Sequence, residues 1–97
     1  MEERKNFLDN EGRLTAFPAK RKRKLYALWY LVGKFQPGVR YTELEVNEIL
    51  CWNTTFHDPA TLRRELHNNH FLGREADGKA YWLEERQPTL AELGIAE

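Results

Sequence analysis

Five consecutive cations, Lys20-Arg21-Lys22-Arg23-Lys24, form the most unusual run in the chain. Ammonium and guanidinium groups gathered this way suit contact with phosphate oxygens, where each neutralised phosphate releases counterions. Arg13 precedes the run, and Arg63, Arg64, Arg74 and Lys79 follow it as further candidates. Arg63 and Arg64 have a second use open to them, because a guanidinium fits the O6/N7 edge of guanine bidentately when a helix enters a major groove. The competing use of all these cations is ion pairing within the protein, for which Glu43, Glu45, Glu48 and Glu65 are available. Those carboxylates, with Asp58, would repel phosphate if they shared the groove-facing surface.

Other chemistries find less support. The sequence contains no serine, which excludes a serine nucleophile. Cys51, His57, His67 and His70 follow the spacing C-x5-H-x9-H-x2-H, which matches no zinc ribbon or finger, so neither metal nor other cofactor is expected. Glu43 and Glu45 could be mistaken for an acid/base pair, but Glu45 has a structural use as a capping residue, and no phosphate-cradling glycine loop is present. No catalytic residue is expected. Trp29, Trp52 and Trp82 with Tyr26, Tyr30, Tyr41 and Tyr81 could stack on single-stranded bases, yet aromatics at helical or strand spacing in a small protein usually fill the core. Trp29 and Tyr30 fall outside the apolar stripe of their helix, which suggests a dimer interface.

The elements that must position these residues follow from local chemistry. Residues 1–17 read as an N-terminal extended segment with a turn at Asn10-Glu11-Gly12. Pro18 suits a helix start, and Leu25, Leu28, Val32 and Phe35 repeat at helical spacing, which predicts a first helix from Pro18 to Phe35, stopped by Pro37-Gly38. Thr42 and Glu45 form a capping box, with Tyr41 and Val46 at the staple positions, so a second helix begins there and ends near Trp52. Asp58-Pro59 starts a third helix, running to Asn68, with Leu62 and Leu66 inward and Asn68 or Asn69 in the left-handed conformation that closes it. Phe71 to Glu75 and Lys79 to Leu83 flank Ala76-Asp77-Gly78 as a hairpin, and Arg40-Tyr41 could add a third strand. The tail from Pro88 could form one helical turn closed by Gly94. This order predicts an α+β winged helix-turn-helix over 18–84, three helices plus a small antiparallel hairpin wing, with a tail over 85–97.

Composition bounds the answer. Ninety-seven residues sustain one core, not two. Fifteen Lys+Arg balance fifteen Asp+Glu, but residues 1–40 carry net +6 and residues 41–97 net −6. Such a split fits a basic face for an anionic partner, or halves that attract each other. The longest apolar run, Leu25 to Val32, falls far short of the ~20 residues that span a bilayer, and the first ten residues carry no apolar signal region. With a single cysteine, the expectation is a cytoplasmic protein without membrane partners.

The ordered motifs Glu11-Gly12-Arg13-Leu14, Pro18-Ala19-Lys20, Tyr41-Thr42-Glu43-Leu44-Glu45-Val46-Asn47, Asp58 with Leu62-Arg63-Arg64-Glu65-Leu66, and Arg74, Gly78 and Tyr81 are together similar to a small bacterial family of unknown function. That family occurs alone or appended behind ArsR-like helix-turn-helix regulators. The resemblance covers about Phe7 to Leu83. It implies a winged-helix-like fold associated with transcriptional regulation, and it implies shared roles for Arg13, Lys20, Lys24, Tyr41, Glu43, Asn47, Arg63, Arg64 and Arg74. His70 stands where glycine would be expected to close the third helix. With no separate helix-turn-helix domain ahead of it, such a module is expected to act through a partner or as a homodimer. The expected function is therefore DNA binding in transcriptional regulation by Arg13, Lys20 to Lys24, Arg63, Arg64, Arg74 and Lys79. The alternative is a protein-interaction or dimerisation module accessory to a regulator. RNA is a less favoured partner, because recognisable single-strand platforms are missing.

Overall fold

A computed structural model describes residues 8–89 and 91–92. The expected closure of the tail at Gly94 lies outside them. Helix α1 (Arg21–Val32) leads to strand β1 (Arg40–Tyr41), then α2 (Glu43–Trp52), α3 (Pro59–Asn68), β2 (Leu72–Arg74) and β3 (Tyr81–Leu83). The three strands make an antiparallel sheet in the order β1-β3-β2. Arg40 pairs with Trp82 on one side of β3, and Gly73 pairs with Trp82 on the other. The described residues thus form an α+β fold, three helices with a small sheet, and Arg40-Tyr41 does supply its third strand.

Helix α1 is shorter than its periodicity predicts. Its N-cap is Lys20, whose side chain makes no capping hydrogen bond, and its first turn has no acidic residue. Cations gathered at the positive end of a helix dipole, without a cap, favour an extended Pro18 to Lys20 over another helical turn. At the other end the amides of Lys34 and Phe35 donate to Leu31 and Val32, three residues back, at 2.9 and 3.1 Å. This tightened turn carries Phe35 into the core although it lies beyond the helix. There Phe35 meets the Tyr41 ring edge-to-face at 5.3 Å.

Local chemistry sets the other helix starts as expected. Thr42 Oγ1 accepts from the Glu45 amide at 3.1 Å while Glu45 Oε1 accepts from the Thr42 amide at 2.8 Å, completing the capping box. Asp58 accepts from the Thr61 amide, with Pro59 in the first helical position. The end of α3 differs from expectation. Asn69 keeps φ −99°, and His70 takes the left-handed conformation at φ 69°. The His70 amide bonds the carbonyl of His67 and the Phe71 amide that of Leu66, a Schellman closure with an imidazole in the place that suits glycine. The asparagine preference for left-handed backbone is overridden because this register puts Phe71, fully buried, over Leu66.

The core gathers Leu25, Leu28, Leu31 and Val32 from α1, Val46 and Leu50 from α2, Leu62 and Leu66 from α3, and Phe71, Leu72 and Tyr81 from the hairpin. Leu14 of the N-terminal segment joins it at 1% exposure, held by its amide on Asn53 O and by the Thr55 amide on its own carbonyl. The buried Thr54 hydroxyl is satisfied by Leu50 O at 2.8 Å. Beyond β3, the Gln87 side-chain amide donates to Phe71 O and Glu84 O, fastening the start of the tail to the hairpin.

Replacing His70 by glycine removes the steric cost of a side chain at positive φ and should raise unfolding stability by about 0.5–1 kcal/mol in urea titrations. Unchanged or lower stability would show that the imidazole contributes more than its backbone conformation costs.

Candidate functional site

The orientation of helix α3 is set by burial. Leu62 and Leu66, one turn apart, have no exposed surface. This fixes the rotation of α3 and sends the residues beside them to opposite flanks. Arg63 turns toward α2, where its guanidinium donates to Asn47 Oδ1 and lies 3.6 Å from Glu43 Oε2. Its side chain keeps only 17% of its surface exposed. Glu65 turns toward α1, meeting Lys24 Nζ at 3.6 Å and accepting from Asn69 Nδ2 at 3.2 Å. Ala60, Arg64 and Asn68, four residues apart along the helix, are left exposed on the outward side.

The ten cations singled out in the sequence therefore divide. Arg13, Lys24 and Arg63 are held within the protein. Arg13 donates through Nε to Asp9 Oδ2 at 2.8 Å and lies 3.4 Å from Glu11. The amides of Arg13 and Glu11 both donate to Asp9 Oδ1. The Arg13 amide, aided by that of Glu11 and by the guanidinium, holds the Asp9 carboxyl below the usual carboxylate range. This closed turn, with Gly12 at φ 79° and its carbonyl accepting from Tyr30 OH at 2.6 Å, sets Leu14 over the core. Lys24 also lies 5.9 Å from the centre of the Phe17 ring.

Lys20, Arg23, Arg64, Arg74 and Lys79 are exposed, and their side chains have no ion pair or hydrogen bond among the described residues. Lys20 and Arg23 stand at the start of α1, with Arg21 and Lys22 exposed beside them. Arg74 ends β2. Lys79 follows the hairpin tip, where Gly78 takes φ 75° and the Lys79 amide donates to Asp77 Oδ1 at 2.9 Å. The root of the hairpin is closed by Trp82, which lies so near Gly73 that a Cβ there would come within 2.2 Å of the indole nitrogen. The Arg40 guanidinium sits 5.1 Å from the same indole and pairs with Glu75.

The acidic residues divide too. Glu43 meets Arg63, Glu45 caps α2, and Glu65 meets Lys24. Glu48, exposed midway along α2, has no partner among the described residues. On either side of it stand Leu44 and Trp52, 67% and 78% exposed. They line an open groove of about 490 Å³ with Arg13, Asn47, Glu48 and Cys51. The sequence reading missed this face, although the helical wheel carries the signal: with Val46 and Leu50 inward, positions 44, 48 and 51 fall on the opposite side. Trp29 is 38% exposed, in keeping with its position outside the α1 stripe, whereas Tyr30 is half-buried against the N-terminal turn. Among the described residues no three His, Cys, Asp or Glu side chains come together as a metal-binding group, and no helix is long and apolar enough to cross a membrane.

Residues 13–83 match the sequence model of a family described as an uncharacterised protein conserved in bacteria, DUF2087. The chain belongs to this family. The DUF2087 region runs from Arg13 to Leu83 and takes in the six helices and strands of the described residues, so the N-terminal turn up to Gly12 and the tail lie outside it. No curated protein and no solved structure is significantly similar to the chain.

The two adjacent arginines of α3 should respond differently to truncation. Arg63→Ala leaves Asn47 and Glu43 without their partner and should cost about 1 kcal/mol of stability. Arg64→Ala should stay within about 0.5 kcal/mol of wild type, as surface changes do. Chemical denaturation of both variants checks the assignment, and equal losses would contradict it.

Proposed function

We propose that this DUF2087 protein is a winged-helix DNA-binding protein acting in transcriptional regulation. In this reading α3 enters the major groove, the β2–β3 hairpin is the wing, and the start of α1 lies along the phosphate backbone. The observation that carries it is the composition of the outward side of α3, where Ala60, Arg64 and Asn68 stand without a carboxylate among them. The acids that would have repelled phosphate there are engaged elsewhere, Glu65 by Lys24 and Glu43 by Arg63. Asp58 stays at the helix start as its cap.

The roles follow from exposure. Arg64 is the base-reading candidate, since an unpaired guanidinium on the outward side is free to take a guanine edge. Lys20, Arg21, Lys22 and Arg23 serve phosphates from α1, and Arg74 and Lys79 serve them from the wing. Arg13, Lys24 and Arg63 act indirectly, by holding the N-terminal turn and α3 in place. The element order and the resemblance to modules that accompany ArsR-like regulators support the same reading. The cytoplasm is the compartment in which such a protein would work.

Fluorescence anisotropy of labelled mixed-sequence duplex DNA tests this directly. Binding should be tighter at ~50 mM than at ~200 mM salt by at least tenfold, because several counterions are released. Lys20→Ala and Arg23→Ala should each flatten the salt dependence by about one unit of slope, whereas Arg64→Ala should cost about 1–3 kcal/mol at a preferred site and less elsewhere. Flat anisotropy at both salts up to ~100 µM protein would overturn the proposal.

A further inference from the structure

Helix α2 turns a face of unusual composition away from the core. Val46 and Leu50 are buried, and Glu48 lies opposite them on the helical wheel, with Leu44 one turn before it and Trp52 one turn after. All three are exposed, so two large apolar side chains flank one carboxylate on a single uncovered face. Charge around this face is one-sided. Glu48 has no partner among the described residues, while Glu45 on one flank and Glu11 on the other are exposed. Arg13, which lines the groove beside Leu44 and Trp52, is already held by Asp9 and Glu11.

We infer that the outward face of α2 is a docking site for an amphipathic helix of another protein, one that carries a lysine or arginine between two large apolar residues at positions i, i+4 and i+8. Charge complementarity selects the cation, since Glu48 lies midway between the two apolar residues and lines the concave surfaces on both sides of Trp52. The backbone around the groove selects a helix over an extended peptide. There the Arg13 amide donates to Asp9, Gly12 O accepts from Tyr30 and Asn53 O accepts from the Leu14 amide. Strand addition needs a free sheet edge, whereas a helix satisfies its own backbone and docks through side chains.

Dimensions agree. Leu44 and Trp52 are two turns apart, about 12 Å along α2, and a partner helix lying along the groove covers the same length with two turns of its own. Its cation then meets Glu48 when its apolar residues reach Leu44 and Trp52, and the pattern reads alike from either end. The groove of about 490 Å³ takes the partner's apolar side chains, with Trp52 as the aromatic anchor. A second copy of this chain does not supply such a helix among the described residues. Two α2 faces would set Glu48 against Glu48, the outward side of α3 is Ala60, Arg64 and Asn68, and the exposed cations of α1 all precede its single exposed large apolar residue, Trp29.

The inference does not depend on DNA binding, and its test contains no nucleic acid. The probe is a fluorescein-labelled peptide of about fifteen residues, alanine and glutamine with leucine at its fourth and twelfth positions and lysine at its eighth. A control peptide has glutamate at the eighth. Anisotropy at ~50 mM salt should show saturable binding of the lysine peptide with Kd below ~1 mM, and binding of the glutamate peptide weaker by about tenfold or more. Glu48→Lys should reverse this preference, with the glutamate peptide within about threefold of the original pair. Trp52→Ala should weaken the lysine peptide by about fivefold or more. Circular dichroism of each variant verifies the fold, as both positions are exposed. Cys51, which lines the groove, reports where the peptide sits: its alkylation should slow at saturating lysine peptide. No saturable binding up to ~1 mM, equal binding of the two peptides, an unreversed preference in Glu48→Lys, or unprotected Cys51 would each overturn the inference. Sedimentation equilibrium of the protein alone should show a monomer, and an association lost in Trp52→Ala would assign the face to a second copy and overturn it.

Discussion

The burial of Leu62 and Leu66 fixes how α3 is rotated about its axis, and nearly every functional assignment follows from that rotation. With both leucines inward, Arg63 must meet α2 and Glu65 must meet α1, and Arg64 is left facing out. The flanking pairs are partly exposed and each contributes on the order of 0.2–1 kcal/mol, whereas truncating either leucine would cost about 2–5 kcal/mol. The apolar contacts therefore decide the geometry. The ion pairs then dispose of the charges that this geometry brings together.

That disposal explains how a chain with no net charge can still present distinct electrostatic faces. Cations near the acidic second half of the sequence are partly consumed: Lys24 and Arg63 neutralise the carboxylates nearest α3, and Arg13 is closed into its own turn with Asp9 and Glu11. Among the described residues Lys20 and Arg23 at the start of α1, Arg64 on α3, and Arg74 and Lys79 on the hairpin stand without an ion pair, and Glu48 stands among apolar residues on α2.

Much of the fold was legible because single residues dictate it locally. Thr42 with Glu45, Asp58 with Pro59, and Asp77 with Gly78 each announce a helix start or a turn through hydrogen bonds made within a few residues. The third strand at Arg40-Tyr41 was legible for a related reason, as a short segment squeezed between a turn and a cap. What depended on distant partners was not legible. The start of α1 reflects a missing cap rather than a present signal, and the left-handed residue is His70, not Asn69, because Phe71 must reach the core. Sequence could nominate Arg13, Lys24, Arg63 and Arg64 alike, but only packing separates the three that face acids from the one that does not. The exposed side of α2 is signalled only indirectly, by the spacing that places Leu44 and Trp52 outside the stripe of Val46 and Leu50.

The central claim is that the outward side of α3 is the surface that meets DNA. Backbone amide NMR of the labelled protein titrated with a duplex tests it most directly, because it reports each element separately. The account expects shifts at Ala60, Arg64 and Asn68, at Arg74 to Lys79 and at Lys20 to Arg23, with the outward side of α2 around Glu48 unmoved by DNA. Shifts confined to α2, or a spectrum in which α3 does not respond to DNA that demonstrably binds, would contradict it.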